Sequence, residues 1–208
     1  MRAPQESPGT DCKKTAIIAD DDRAARPESG FSVALSADGT RLAVGAYANA
    51  GGGFLAGQAR VFEYTGAAWT QLGADIDGRA ALDLAGGSVA LSADGGRLAV
   101  GERGHDGNGN DSGDTRVFEY DGAAWTQLGS DIDGEAAGDE SGGSVALSAD
   151  GGRLAVGAPF NDGTGADSGH ARVYDVCSTT TSRRLTEKVH GPVTRAFYSW
   201  TQRQFATP

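Results

Sequence analysis

The chain has 208 residues, a formal net charge of −10 and 33 glycines. That length holds one domain or a short repeat array. Glycine at this level without a collagen triplet excludes long helices and points to many tight turns, because Gly alone enters positive φ without a steric penalty. Residues 178–208 carry Arg183, Arg184, Lys188, Arg195 and Arg203 against Glu187, a balance of +4, which leaves −14 on residues 1–177. Such an acidic body repels phosphate backbones and argues against nucleic-acid binding.

Two cysteines, Cys12 and Cys177, are too few for a disulfide framework or a four-ligand zinc site. They could pair if the chain ends meet. No stretch reaches the length of a membrane span. The first residues, Met1 to Glu6, lack the apolar run of a secretory signal.

The dominant pattern is an internal repeat of 56 residues. GGSVALSADGGRLAVG occupies 86–101 and, unchanged, 142–157; GFSVALSADGTRLAVG occupies 30–45. VFEY, GAAWTQLG and DIDG, at 61–64, 66–73 and 75–78, return at 117–120, 122–129 and 131–134. In chain order, residues 1–12 read as a tail. KKTAIIA at 13–19 falls on the strand that ends a unit. Units then start near residues 30, 86 and 142, and the third stops after ARVYDV at 171–176. The repeat region is therefore 13–177. The strand at 13–19 is expected to complete the last unit, which would bring Cys12 and Cys177 towards one another. Residues 178–208 read as a basic, irregular tail.

The middle copy predicts four strands. Residues 88–92 alternate small-polar with apolar, the period of two that marks a strand. Asp94 and Gly95 supply a turn. Residues 97–100 form the second strand, with Leu98 and Val100 on one face and Arg97 and Ala99 on the other. A Gly/Asn-rich loop spans 101–113, the third strand 115–120, a hairpin turn Asp121-Gly122, and the fourth strand 125–128. Each unit thus has a small face (Ala90, Ala99) and a large face (Val89, Leu91, Leu98, Val100), which suits sheet-on-sheet stacking. Phe62, Phe118, Trp69 and Trp125 are expected to pack in the core.

A four-stranded unit repeated in this way predicts an all-β chain of propeller-type blades. GGSVALSADGGRLAVGAPFNDGTGADSGHARVYDV at 142–176 resembles the FG-GAP repeat of integrin-α-type β-propellers: Gly157-Ala158-Pro159 matches its Gly-Ala-Pro, and Gly30-Phe31 and the Gly-Gly pairs at 86–87 and 142–143 stand near its Phe-Gly. WD40-like repeats are the alternative, through Ser92-Ala93-Asp94-Gly95, Leu98-Ala99 and Ala171-Arg172-Val173-Tyr174-Asp175. The 56-residue period exceeds the roughly 40–45 residues of WD40 and favours the first family. That resemblance implies a non-catalytic, adhesion-like binding module whose loops meet a protein or a glycan, in a family commonly found outside the cell; a purely structural repeat and a hydrolase or lyase on a propeller scaffold are the alternatives. Three blades fall short of the four to eight of a closed ring, so either self-association into a larger ring or a place within a longer array is expected.

Several groups are candidates for chemistry. Blades of this family often hold Ca²⁺ in the turn between the first two strands, but Asp38, Asp94 and Asp150 each stand alone there, whereas Ca²⁺ takes six to eight oxygens. The loop between strands two and three offers His105, Asp106, Asn108, Asn110 and Asp111 in one copy and Asn161, Asp162, Thr164 and Asp167 in another. Asp106, Asn108 and Asn110 mimic the start of an EF-hand loop. Asp111 then stands where that loop needs Gly, and Val117 where it needs Glu. Ca²⁺ is therefore a candidate ligand of Asp106, Asn108, Asn110, Asp111, Asp162 and Asp167, with a solvated turn as the alternative. His105, Asn108, Asn161, Thr164 and His170 are candidate partner-binding loop residues. The paired carboxylates of Asp75-Ile76-Asp77 and Asp131-Ile132-Asp133 recur and read as structural corners. His105, His170 and His190 sit in unlike contexts, and no nucleophile elbow or phosphate loop occurs, so no enzyme and no required cofactor are expected.

Overall fold

The alternation in Ser-Val-Ala-Leu and the Ala-Asp-Gly turn after it dictate a hairpin, and each copy forms the same one. The computed structural model describes residues 28–177 and the backbone of 186–188. The first sheet comprises β1 (Ser32–Leu35), β2 (Arg41–Gly45), β3 (Gln58–Tyr64) and β4 (Trp69–Gln71), with β5 (Ile76–Asp77) also pairing β3. The second comprises β6 (Ser88–Leu91), β7 (Arg97–Glu102), β8 (Asp114–Tyr120) and β9 (Trp125–Gln127), with β10 (Ile132–Asp133) also pairing β8. The third comprises β11 (Ser144–Leu147), β12 (Arg153–Ala158), β13 (His170–Asp175) and β14 (Thr186–Lys188). All strand pairs are antiparallel, and the described residues form no helix. The protein is all-β, three antiparallel blade-type sheets that make up part of a β-propeller.

Register is the same in every blade. Val89 pairs Val100, Ala90 pairs Ala99 and Leu91 pairs Leu98, as Val33 pairs Val44 and Val145 pairs Val156. Directly opposed residues share a face, so the large and small faces are as the sequence predicts. The turn that sets this register is built by Ser and Asp. Ser92 Oγ donates to Asp94 Oδ1 at 2.6 Å, the Gly96 N–H donates to the same oxygen at 2.9 Å, and the Arg97 N–H donates to Ser92 Oγ at 2.9 Å. Asp38 and Asp150 serve the same turn with Ser36 and Ser148. The Ser36 hydroxyl and the Thr40 N–H hold the Asp38 carboxyl down at about 2.

The blades stack large face on small face. One core cluster joins Ala43, Ala59 and Val61 of the first blade to Val89, Leu98, Val100 and Phe118 of the second. The other joins Ala90, Ala99 and Val117 of the second to Leu154, Val156 and Tyr174 of the third. Phe62 and Phe118 are buried and Trp69 and Trp125 half-buried, with the Trp125 indole N–H on Leu72 O at 2.8 Å.

A set of hydrogen bonds one repeat apart locks each junction. The Ala37 N–H donates to Ala93 O and the Ala93 N–H to Ala149 O, both at 2.8 Å. Ser32 Oγ donates to Gly86 O and Ser88 Oγ to Gly142 O, at 2.8 and 2.7 Å. Arg41 Nη1 donates to Gly95 O and Arg97 Nη1 to Gly151 O, at 3.2 and 3.0 Å.

Two expectations concern the ends of the repeat. Within 178–208, read as irregular, Thr186–Lys188 lie antiparallel to β13 as the fourth strand of the last blade. The reason is that β13 offers an edge, and the chain returns to pair it after a short connection. The strand expected at 13–19 lies outside the described residues, as do Cys12 and His190. Cys177 is exposed.

Candidate functional site

The blades agree along their strands, and the middle one departs from its neighbours at the loop rim, where strands two and three of each sheet meet their connecting loop. Glu102 stands where the other blades have Ala46 and Ala158; Asp114 where they have Gln58 and His170; His105 where they have Asn49 and Asn161. Leu98, Val100 and Glu102 lie two residues apart along β7 and share its large face. Glu102 is the register partner of Asp114, and Val100 that of Arg116, so these polar groups continue the apolar face to its rim.

They form one linked network. Glu102 and Asp114 are wholly buried and Arg116 nearly so. Arg116 Nε donates to Glu102 Oε1 at 2.6 Å, a second guanidinium N–H reaches the same oxygen, and Nη2 donates to Asp77 O at 2.7 Å. The guanidinium also sits 5.2 Å from the Phe118 ring centroid. Arg79, arriving from the connection between blades one and two, donates through Nη2 to Glu102 Oε2 at 3.2 Å and Asp114 Oδ2 at 2.5 Å, and through Nη1 to Asp131. Burial, reinforced by the charge of Glu102, pushes the Asp114 carboxyl well above the usual carboxylate range, although Arg79 pulls the other way. Asp114 Oδ1 is buried with no hydrogen-bond partner among the described residues.

His105 adjoins this network. Its Nδ1 lies 3.1 Å from Asp83 Oδ1, while Asp83 Oδ2 accepts the Arg79 and Ala80 N–H groups at 2.9 and 2.7 Å. Two groupings bring ligating atoms within 4.8 Å of one another: Asp83, Glu102 and His105, and His105, Asp114 and Asp133. Sequence spacing alone places His105 with none of these carboxylates; the fold brings them together. Residues 79 to 133 converge because the blade-to-blade connection crosses the ends of β7 and β8. Only the departure of Glu102, Asp114 and His105 from the repeat signals this site in the sequence.

The loop residues singled out from sequence serve mainly their own turns. Asp106 Oδ1 accepts the Asp111 N–H at 2.9 Å, and Asp162 Oδ1 accepts the Asp167 N–H at 2.8 Å. Asp111 and Asp167 take the same left-handed conformation, φ 53° and 50°. Asn108 donates to Gly134 O at 2.7 Å, Asn110 to Asp111, and Thr164 Oγ1 to Ser168 Oγ at 2.9 Å. Asn161 is buried, with Nδ2 on Asp139 Oδ2 at 2.7 Å. His170 is half-buried, 4.0 Å from Glu135. Among the described residues, none of Asp106, Asp111, Asp162 and Asp167 joins a three-member His, Cys, Asp or Glu cluster.

No family model matches the chain, and no curated protein matches it. Similar solved structures include a putative 6-phosphogluconolactonase from Bacteroides uniformis, at 14% identity and TM-score 0.50, over 75% of this chain and 39% of that one. Hydrazine synthase of Kuenenia stuttgartiensis is similar at 14% identity and TM-score 0.48, over 83% and 38% of the two chains. A prolyl endopeptidase is similar at 14% identity and TM-score 0.40, over 76% and 22%. The chain thus spans less than two fifths of each of these proteins, and at this identity the likeness to the first is one of fold alone.

Proposed function

We propose that the chain is a non-catalytic binding module of the β-propeller type, which completes its ring head to tail with a second copy and presents its loop rim to a protein or a glycan. One observation carries this reading: the same side chains are buried between blades and open at the ends. Val89 is 8% exposed, Val33 62%. Ala90 is buried and its equivalent Ala146 exposed. The end faces also hold the two halves of the junction lock. Among the described residues, Ala149 N–H and Ser144 Oγ have no acceptor one repeat ahead, and the Arg153 side chain is 68% exposed against 15% for Arg97. The large face of one copy's first blade therefore fits the small face of another copy's third. Such a contact is heterologous and closes only if the rotation returns on itself; two copies supply six blades, within the four to eight of known rings.

The FG-GAP resemblance supports loops as the recognition surface. Exposed Phe54 and Phe160 lie on them, beside polar turns. Light scattering coupled to size exclusion tests the assembly: the mass is expected at twice 21.2 kDa, falling to one chain in Val33→Asp. A compact monomer for the wild type refutes it. A second reading, a hydrolase or lyase on a propeller scaffold, is favoured by the non-repeated cluster of His105 with Asp83, Asp114 and Asp133.

A further inference from the structure

We propose that the middle blade carries a divalent-cation site whose protein ligands are His105, Asp114 and Asp133. One atom of each lies within 4.8 Å of the others. Asp83 Oδ1, 3.1 Å from His105 Nδ1, is placed to accept a hydrogen bond from an Nδ1–H. The imidazole is thereby held with Nε2 as its lone-pair nitrogen, the carboxylate–histidine arrangement that orients metal-binding imidazoles. Asp114 supplies the independent observation. It is wholly buried, its Oδ2 is taken by Arg79, and its Oδ1 has no donor among the described residues. Leaving a buried acceptor without a donor is unfavourable, and a cation is a partner that would satisfy it.

The other blades act as internal controls. At the position of His105, Asn161 makes the corresponding bond to Asp139, at 2.7 Å. An amide is therefore enough for the structural role, and the imidazole adds a second nitrogen. Gln58 and His170 replace Asp114 in the other blades. Gly107 keeps the space open: a Cβ there would lie 2.7 Å from Asp133 Oδ1 and 3.3 Å from His105 Cδ2.

The alternative grouping of Asp83, Glu102 and His105 is less able to ligate. Glu102 is engaged by both Arg116 and Arg79, and Asp83 Oδ2 by two backbone N–H groups. One imidazole and two carboxylates suit a first-row transition ion such as Zn²⁺ or Mn²⁺, with remaining positions for water. Ca²⁺ would need more oxygens. The surroundings are also acidic: among the described residues Arg79 pairs with Glu102, Asp114 and Asp131, and Arg116 with Glu102, while Asp83 and Asp133 lie beside His105. This site does not depend on ring closure.

The test is calorimetric titration of the chelator-stripped full chain with Zn²⁺ and with Mn²⁺, alongside His105→Asn, Asp133→Asn and Asp106→Asn. His105→Asn installs the residue that the other blades carry, so its melting temperature is expected to match the wild type. The wild type is expected to bind one ion per chain. His105→Asn and Asp133→Asn should each weaken binding about tenfold or more, and Asp106→Asn should leave it unchanged. The proposal is overturned if the wild type binds neither ion, if His105→Asn or Asp133→Asn binds as the wild type does, or if Asp106→Asn abolishes binding.

Discussion

Replacing Val89 by Ala should destabilise the protein far more than replacing Val33, although the two residues occupy the same place in identical SVAL strands. Val89 is 8% exposed and packs in the cluster joining the first two blades, whereas Val33 is 62% exposed. Val→Ala removes two methyl-sized groups, at ~0.8 kcal/mol each when buried. With the residual cavity, Val89→Ala should cost about 2 kcal/mol. Val33→Ala should cost about 0.5 kcal/mol in dilute solution, where most of its surface is already wet. Val145, half-buried against the second blade, should fall between them. Urea denaturation measures this, with a shift of midpoint at unchanged slope. Raising the protein concentration should enlarge the Val33→Ala penalty if copies stack as proposed, because that contact would bury the face. Equal costs for Val33→Ala and Val89→Ala in dilute solution would refute the stacking argument.

Glu102→Ala strips Arg116 and Arg79 of a buried acceptor and should cost about 3–5 kcal/mol, read by the same denaturation; a change below about 0.5 kcal/mol would mean that the network contributes nothing. The Ser36 hydroxyl holds the folded Asp38 carboxyl at about 2, below its unfolded value of about 3.9. Its contribution is therefore present above about pH 4 and is lost as the pH falls through about 2. NMR titration of the Asp38 carboxyl should show this depression and its relief in Ser36→Ala; an ordinary value in the wild type would contradict the turn geometry. The Ser92 and Ser148 hydroxyls lower the Asp94 and Asp150 carboxyls in the same way.

Much of this architecture is legible in the sequence because a repeat removes ambiguity. Three copies of Ser-Val-Ala-Leu, a Ser–Asp turn and Arg-Leu-Ala-Val fix strand, turn and register together. They also separate the faces, since Ala90 and Ala99 must share one side if Val89 and Val100 share the other. The two-residue strands Ile76–Asp77 and Ile132–Asp133 escape notice because nothing local distinguishes them from a corner; they form only when β3 and β8 extend past their hairpins. Thr186–Lys188 escape because Thr181-Ser182-Arg183 stand where the repeat register calls for Trp-Thr-Gln, and pairing follows from an available edge.

The candidate site is the least legible part. Its members span residues 79 to 133, and no motif spacing links them. The Asp106–Asp111 loop has EF-hand-like spacing, yet the Asp106 carboxylate caps the Asp111 N–H and the Asp111 carboxylate accepts from the Asn110 amide. The informative signal is the reverse of a motif. Glu102, Asp114 and His105 are departures from a repeat, placed by its register on one face and one rim.

Directional cross-linking distinguishes head-to-tail stacking of like blades from every other contact between copies. Within the chain, Ala37 and Ala93, and Ala93 and Ala149, are joined by backbone hydrogen bonds of 2.8 Å. The junction between copies should repeat this with Ala149 of one and Ala37 of the other. In a Cys12→Ser, Cys177→Ser background, chains carrying Ala37→Cys and chains carrying Ala149→Cys are mixed and treated with a short thiol cross-linker. Head-to-tail stacking should give a covalent dimer from the mixture and none from either variant alone. No cross-link in the mixture, or equal cross-linking of each variant with itself, would contradict it.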